Sequence, residues 1–404
     1  MKFSKLSQLF LVSTIGLLVA TLLTACQIIT IDYVFVACSA GSGSTSAGQI
    51  QIFAVDSESG ALRVGAPTVS SGGVGPIAMA ITSNYANLYV ANQGNSSVAH
   101  FTVASSGVLT AKDTVTTSTT PVAMAINAAN TYLYVISGTS SATLTAYSLG
   151  TDGTIGSAVS KLTLTVPGYT SDTLIPTGVT VLANNSAVYV VAYDQSAYNP
   201  GGTTSSVANP GWVFGYTVGT GGVLTASSGS PFRAGVKPSG VAADPTNRFV
   251  YVTDYASNQM VGYSIQTGGT LNFLVNGPFK TGNQPSAILV DPRGLYIYVS
   301  NALDSSVTGY SISLPTGTPS ALVNSNASIL YATDTQPVAI SIDPALGRFV
   351  YTANHLGNSV SGFRLTPDTG VLTTTQATPY PTGAQPTALV MAPHGNHSTQ
   401  SVTP

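Results

Sequence analysis

An aromatic–valine motif recurs along the chain as Phe35-Val36, Tyr89-Val90, Tyr134-Val135, Tyr189-Val190, Tyr251-Val252, Tyr298-Val299 and, with threonine for valine, Tyr351-Thr352. Seven copies between residues 35 and 351 stand roughly 53 residues apart, a period that signals radially arranged or stacked repeats. Each copy has the same neighbours. A proline followed by small and β-branched residues precedes it, as in Pro76-Ile77-Ala78-Met79 and Pro121-Val122-Ala123-Met124. A run ending in an aromatic follows, as in Val98-Ala99-His100-Phe101 and Val307-Thr308-Gly309-Tyr310. A glycine-led run closes the unit, as in Gly107-Val108-Leu109-Thr110 and Gly370-Val371-Leu372-Thr373. Short Val/Ile/Thr/Tyr runs between Gly, Pro, Asn and Asp turns read as strands. Four strands per unit, in series, make propeller blades.

The two ends of the repeat array predict how the ring closes. The body begins at the aromatic–valine strand, without a proline strand before it. It finishes on Pro386-Thr387-Ala388-Leu389-Val390, a proline strand with no partner after it. The C-terminus is therefore expected to supply the inner strand of the blade whose other three strands are N-terminal, which removes the open sheet edges. The predicted fold is all-β: one seven-bladed propeller of four-stranded antiparallel blades with 3+1 closure, spanning 31–393, and a flexible tail over 394–404.

Ahead of the repeats stand Lys2 and Lys5, an uncharged apolar run from Leu9 to Leu23, and then Thr24-Ala25-Cys26. Small residues before a cleavage point end a signal peptide. Here the next residue is cysteine, which resembles a bacterial lipobox. Residues 1–25 are thus expected as a lipoprotein signal peptide and 26–30 as a tether lipidated at Cys26. That places the body in the cell envelope, outside the cytoplasm, and membrane lipid is the first expected partner. Gln27 after the cysteine, by analogy with lipoprotein sorting, favours the outer membrane. The competing reading is an uncleaved anchor helix, for which the run is short of the ~20 residues a bilayer needs.

Composition removes several classes of function. Only 6% of the 404 residues are charged and the formal net charge is −2, too neutral to grip a phosphate backbone, so no nucleic-acid partner is expected. Two cysteines make no disulfide framework. No zinc spacing, phosphate-binding glycine loop or nucleophile elbow occurs, and neither a metal nor a cofactor is expected. The ring is expected to be monomeric.

The Tyr-Val-x-Asn copies, set in units of this size, resemble the YVTN/lactonase-like propeller family over the whole body. That family includes 6-phosphogluconolactonases and carboxymuconate-type cycloisomerases. The resemblance implies hydrolysis or closure of a lactone ring at a cleft on one propeller face. It also implies Pro-Arg-His at the start of an inner strand and Asn-Glu at the end of the next. This chain departs at both places. Ile77, Val122, Thr177, Ser239, Ser286, Val338 and Thr387 follow the prolines, and Gln93, Ala302 and His355 follow the asparagines. The single glutamate, Glu58, lies in the turn 56–60. Lactone hydrolysis needs a base for water and a donor or cation for the oxyanion.

Strand direction places two sets of residues on one face. The first precedes each inner strand: Gly75, Thr120, Ile175, Lys237, Gln284, Gln336 and Gln385. The second ends each motif: Cys38, Asn92, Ser137, Ala192, Asp254, Asn301 and Asn354. Gln284, Gln336, Gln385, Asn92, Asn301 and Asn354 are therefore the candidate ligand-binding amides. The competing reading is that the Asn and Asp side chains cap their own turns. A long connection from Tyr193 to Gly211 opens on the same face, so Tyr193, Tyr198 and Trp212 join as candidate stacking platforms. On the opposite face Asp244-Pro245, Asp291-Pro292 and Asp343-Pro344, followed by Arg248, Arg293 and Arg348, read as structural turns. Two functions remain. One is a non-catalytic module binding an envelope protein or a polysaccharide. The alternative is a lactonase, like the 6-phosphogluconolactonases, with an altered site built from Lys237, Arg233, Asp254 and His355.

Overall fold

The computed structural model describes residues 29–39, 45–168, 173–198, 210–402 and 404. The signal segment and Cys26 lie outside these residues, as does 199–209 of the long connection. Seven antiparallel sheets follow one another in chain order. Blade 1 joins the strands Thr30–Cys38, Ala47–Asp56 and Leu62–Val74 to the C-terminal strand Pro386–Pro393, which pairs with Thr30–Cys38 from Asp32↔Pro393 to Cys38↔Pro386. This is the predicted 3+1 closure. The inner strands of blades 2 to 7 are Pro76–Ile81, Pro121–Ile126, Leu174–Val181, Pro238–Ala243, Pro285–Val290 and Pro337–Ile342. In blades 4 to 7 the outer strand is broken into two short pieces, for example Leu271–Phe273 and Phe279–Lys280, both paired with Gln259–Ile265. Blades 1 to 3 keep it whole.

The motif is the second strand of each blade, and its aromatic is buried between blades. Phe35, Tyr89, Tyr134, Tyr189, Tyr251, Tyr298 and Tyr351 all show 0% exposure. Full burial of a side chain of this size is worth about 1.5–3 kcal/mol. Tyrosine rather than phenylalanine is used because its hydroxyl reaches the next blade. Tyr89, Tyr189, Tyr251, Tyr298 and Tyr351 donate to the carbonyls of Gly153, Gly269, Gly317, Gly370 and Gly60 at 2.5–3.0 Å. These acceptors are the glycines of the glycine-led runs. They must be glycine: φ lies between 68° and 86°, and a Cβ on Gly317 or Gly370 would stand 2.3 Å from the ring of Phe249 or Tyr296 in the preceding blade. Blade 3 lacks the latch, because Tyr134 Oη has no hydrogen-bond partner among the described residues. Blade 1 lacks it because its aromatic is Phe35.

Inner strands are stitched to one another by hydroxyls. Every inner-strand proline pairs with the residue that ends the motif, and the register then slips by one, so the residue after the proline is a bulge. At that bulge Thr177, Ser239, Ser286 and Thr387 donate to the carbonyls of Pro238, Pro285, Pro337 and Pro76 of the next blade at 2.6–2.8 Å. Ile77, Val122 and Val338 occupy the other bulges and cannot. The seam from blade 3 to blade 4 therefore has neither stitch nor latch.

On the face where inner strands end, Asp244 and Asp291 are 2% and 0% exposed. Each accepts two backbone N–H groups at 2.7–2.8 Å from the start of the next strand. Asp343 accepts Ala345 N–H at 2.9 Å and Arg348 N–H at 3.2 Å. Asn127 and Thr82 do the same work in blades 3 and 2. The arginines donate onward to the carbonyls of Leu314, Pro367 and Ser57 in neighbouring blades. This face is structural, as the turn chemistry predicts. Past Pro393, where a flexible tail is expected, the chain instead forms the 3-10 turn Gly395–Thr399 and buries His397 to 4% exposure.

Candidate functional site

The opposite face, where inner strands begin, is the mouth. Its frame is a repeated backbone contact: the carbonyl before the proline accepts the N–H of the residue after the motif. This joins Gly75 to Gln93, Thr120 to Gly138, Lys237 to Tyr255, Gln284 to Ala302, Gln336 to His355 and Gln385 to Ser39 at 2.8–3.2 Å. Gln284, Gln336 and Gln385 hold left-handed φ values of 50–59°, a conformation that costs a non-glycine residue of order 1 kcal/mol or more. The Gln284 and Gln385 backbones are clamped from the other side as well, by Asn258 Oδ1 and Asn358 Oδ1 at 2.8 Å.

The two predicted amide sets separate here. Gln284, Gln336 and Gln385 are half-buried at the mouth. Gln284 Oε1 accepts from Tyr255 Oη at 2.7 Å and Gln385 Oε1 from Ser39 Oγ at 3.1 Å. Asn92, Asn301 and Asn354 are all 0% exposed and do not present their amides to it. Asn301 Nδ2 donates to Ser306 Oγ and Thr308 Oγ1 of the adjoining strand at 3.1 and 2.9 Å. Asn354 Nδ2 does so to Ser359 Oγ and Ser361 Oγ at 3.0 and 2.9 Å. Asn92 exchanges bonds with Ser71 in blade 1. The reason is strand alternation. The motif's last residue points away from the axis, and the residue after it opens on the mouth.

One sector of the mouth carries charge. Lys237 Nζ lies 5.4 Å from the ring centre of Tyr193, 4.9 Å from Tyr198 and 4.8 Å from Tyr255. Burial holds its pKa below the ordinary lysine value. Three tyrosine faces replace part of the lost hydration, each contact worth about 0.5–2 kcal/mol by ring quadrupole. Asp254 is the nearby carboxylate, and it is fully buried. Its oxygens accept Val236 N–H and Lys237 N–H, both at 2.9 Å, and Gln259 Nε2 at 3.2 Å. It shapes the backbone that carries Lys237 and leaves no face for a water.

The remaining candidates lie apart. Arg233 is exposed on the outer part of blade 4, its guanidinium 5.4 Å from the centre of Trp212. It lines a cleft of about 370 Å³ at the rim of blade 5. Trp212 itself is 2% exposed and packed between blades, so it offers no stacking surface. His355 stands at the mouth between blades 7 and 1, with Nδ1 3.2 Å from the carbonyl of Pro386. A carbonyl only accepts, so Nδ1 is the donor in this contact. The four residues expected to form an altered lactonase site are thus not one constellation. Sequence reasoning missed Tyr255, although it stands at the same post-motif position as Gln93, Ala302 and His355. Of the long connection, Tyr193 and Tyr198 belong to the lysine's surroundings, and Tyr198 N–H donates to the carbonyl of Asp194 at 3.0 Å.

Seven four-stranded antiparallel sheets in chain order, closed by the C-terminal strand, define a seven-bladed β-propeller. The family model described as lactonase, 7-bladed beta-propeller, matches residues 47–171, 184–330 and 233–398, and the chain belongs to that family. No curated protein matches the sequence at a significant level. Among solved structures it is similar to a periplasmic gluconolactonase of Pseudomonas aeruginosa, with TM-score 0.73 and 16% identity over 90% of this chain and 99% of that one. It is also similar to a candidate 6-phosphogluconolactonase of Bacteroides fragilis, with TM-score 0.69 and 15% identity over 90% and 98% of the two chains. At this identity the likeness concerns the fold.

Proposed function

We propose that this chain is a binding propeller of the lactonase family, tethered to a membrane through Cys26 outside the cytoplasm, that takes a polysaccharide at its mouth without hydrolysing it. One observation carries the reading. Lys237 is a half-buried cation ringed by three tyrosines, and it has no carboxylate partner among the described residues. Aromatic faces stack on sugar rings, and a poorly hydrated ammonium attracts an anionic substituent such as a uronic acid carboxylate. Gln284, fixed by Tyr255, adds an amide for sugar hydroxyls. The bulge positions that the resemblance gives to arginine carry Ser, Thr, Val and Ile, and the hydroxyls among them are engaged in stitching blades. Asp254, the carboxylate beside Lys237, is enclosed and engaged by Val236 N–H, Lys237 N–H and Gln259 Nε2, so it is not placed to act as a base there.

The test is calorimetric binding of a uronic-acid oligosaccharide to the protein, alongside Lys237→Ala and Tyr255→Ala. Loss of one desolvated cation contact corresponds to about tenfold weaker binding. Equal affinity in all three proteins would refute the assignment. The lactonase reading keeps one observation in its favour: His355 is an imidazole at the mouth whose Nδ1 is oriented by the carbonyl of Pro386 at 3.2 Å. A hydrolysis assay on 6-phosphogluconolactone and neutral sugar lactones decides between them. Turnover above the spontaneous rate that disappears in His355→Ala would establish the enzyme.

A further inference from the structure

On the turn face, the two ends of the repeat array meet in a cluster that the other blades do not repeat. Asp343 directly follows the inner strand of blade 7, Asp32 is the third residue of the second strand of blade 1, and His397 reaches both from the turn Gly395–Thr399. His397 Nε2 lies 3.0 Å from Asp343 Oδ1 and 3.3 Å from Asp32 Oδ1. Its Nδ1 lies 2.7 Å from Gln400 Oε1, an acceptor, so Nδ1 carries a proton and Nε2 is directed at two carboxylates. Asp32 is 0% exposed, and neither of its oxygens has a hydrogen-bond partner among the described residues. The turn aspartates Asp244, Asp291 and Asp343 are by contrast all served by backbone N–H groups. Arg348, which follows Asp343 in the same turn, donates its guanidinium to Ser57 O at 3.1 Å.

From this convergence we infer a divalent metal site, with His397 Nε2, an Asp343 oxygen and an Asp32 oxygen as ligands and zinc as the best-fitting ion. Asp343 is served by backbone N–H groups, but the second buried carboxylate, Asp32, has neither oxygen hydrogen-bonded among the described residues, and two such carboxylates side by side are costly unless a cation sits between them. The ligand atoms all lie within 4.8 Å of one another. Ligands ~2.1 Å from a tetrahedral ion stand roughly 3.4 Å apart, close to the 3.0 and 3.3 Å seen here. One nitrogen and two oxygens, with a fourth position for water, suit zinc. Calcium takes six to eight oxygens, and too few converge here. The Gln400 amide plays the outer partner that orients a metal-bound imidazole. The ion would bind the tail to blades 7 and 1 and so lock the ring-closing strand Pro386–Pro393.

Tag-free full-length protein, stripped with EDTA and incubated with zinc chloride, tests this by elemental analysis after gel filtration and by thermal unfolding. The expected result is one zinc per chain, with a melting temperature that rises with zinc and falls back with EDTA. Asp32→Asn and His397→Gln should each abolish retention. His394→Ala, next door in the tail, should leave it intact. If the ligand variants fail to fold, Gln400→Ala keeps all three ligands and should weaken zinc about 10- to 100-fold. Less than a tenth of an equivalent retained by the parent protein, or undiminished retention in the ligand variants, overturns the site.

Discussion

The two faces of this ring are built on opposite plans. On the turn face one position does one job in blade after blade: Thr82, Asn127, Asp244, Asp291 and Asp343 each accept backbone N–H from the turn or the start of the strand that follows. On the mouth face the equivalent positions hold Gly75, Thr120, Ile175, Lys237, Gln284, Gln336 and Gln385. Their carbonyls frame the mouth in the same way in most blades, while their side chains differ. Repeated side chains therefore build the ring, and the unrepeated ones give each sector its own chemistry. The Asp32–Asp343–His397 cluster obeys the same rule, being the place where the turn face itself stops repeating.

Removing a repeated acceptor should have the largest effect. Asp291→Ala strips the acceptor from Leu295 N–H and Tyr296 N–H and from Arg293 Nε, at 2.7, 2.8 and 2.6 Å. Charge-assisted bonds of this kind contribute about 1.5–3 kcal/mol, so a loss of roughly 2–4 kcal/mol is expected in urea unfolding. Asp291→Asn should restore most of it, since Asn127 serves two N–H groups in blade 3 with an amide oxygen. A cost below about 1 kcal/mol for the alanine variant would break the contrast between the faces.

The seams offer a finer contrast. Tyr298 Oη donates to the carbonyl of Gly370 at 2.7 Å, whereas Tyr134 Oη, equally buried, has no partner among the described residues. Tyr298→Phe leaves a buried carbonyl unpaired and should cost about 1–2 kcal/mol. Tyr134→Phe removes an unpaired hydroxyl and should be neutral or stabilising. Equal losses in the two variants would mean that the ring, not the latch, explains the tyrosine.

This division also explains what the sequence disclosed. The blade count, the strand order and the closure by Pro386–Pro393 were legible because identical geometry demands similar residues at each turn of the ring. The turn aspartates were legible for the same reason. The mouth was only half legible. Spacing placed Gln284, Gln336, Gln385 and Lys237 on one face, but it did not show that the amides of Asn92, Asn301 and Asn354 turn away from the mouth onto neighbouring strands while Tyr255, one residue past the motif, faces it. Trp212 read as a platform because it follows a long loop, and the neighbouring blade covers it. His397 read as tail because contacts between chain ends leave no periodic trace.

Lys237 gives the smallest expected effect and the one most specific to the mouth. Its environment is built at a cost in stability, since burial disfavours the charged form. Lys237→Met keeps the aliphatic stem among the three rings and removes the charge. The variant is expected to unfold no earlier than the parent at pH 7, with any change within about 0.5 kcal/mol. The sign with pH follows from linkage. A folded-state pKa below the unfolded value means that the folded chain holds fewer protons there, so the penalty is full at neutral pH and fades as pH rises through the folded pKa toward the unfolded one. The difference between parent and variant should therefore shrink in alkaline buffer. A variant markedly less stable than the parent at pH 7 would make Lys237 another structural element, and the mouth would no longer differ from the turn face.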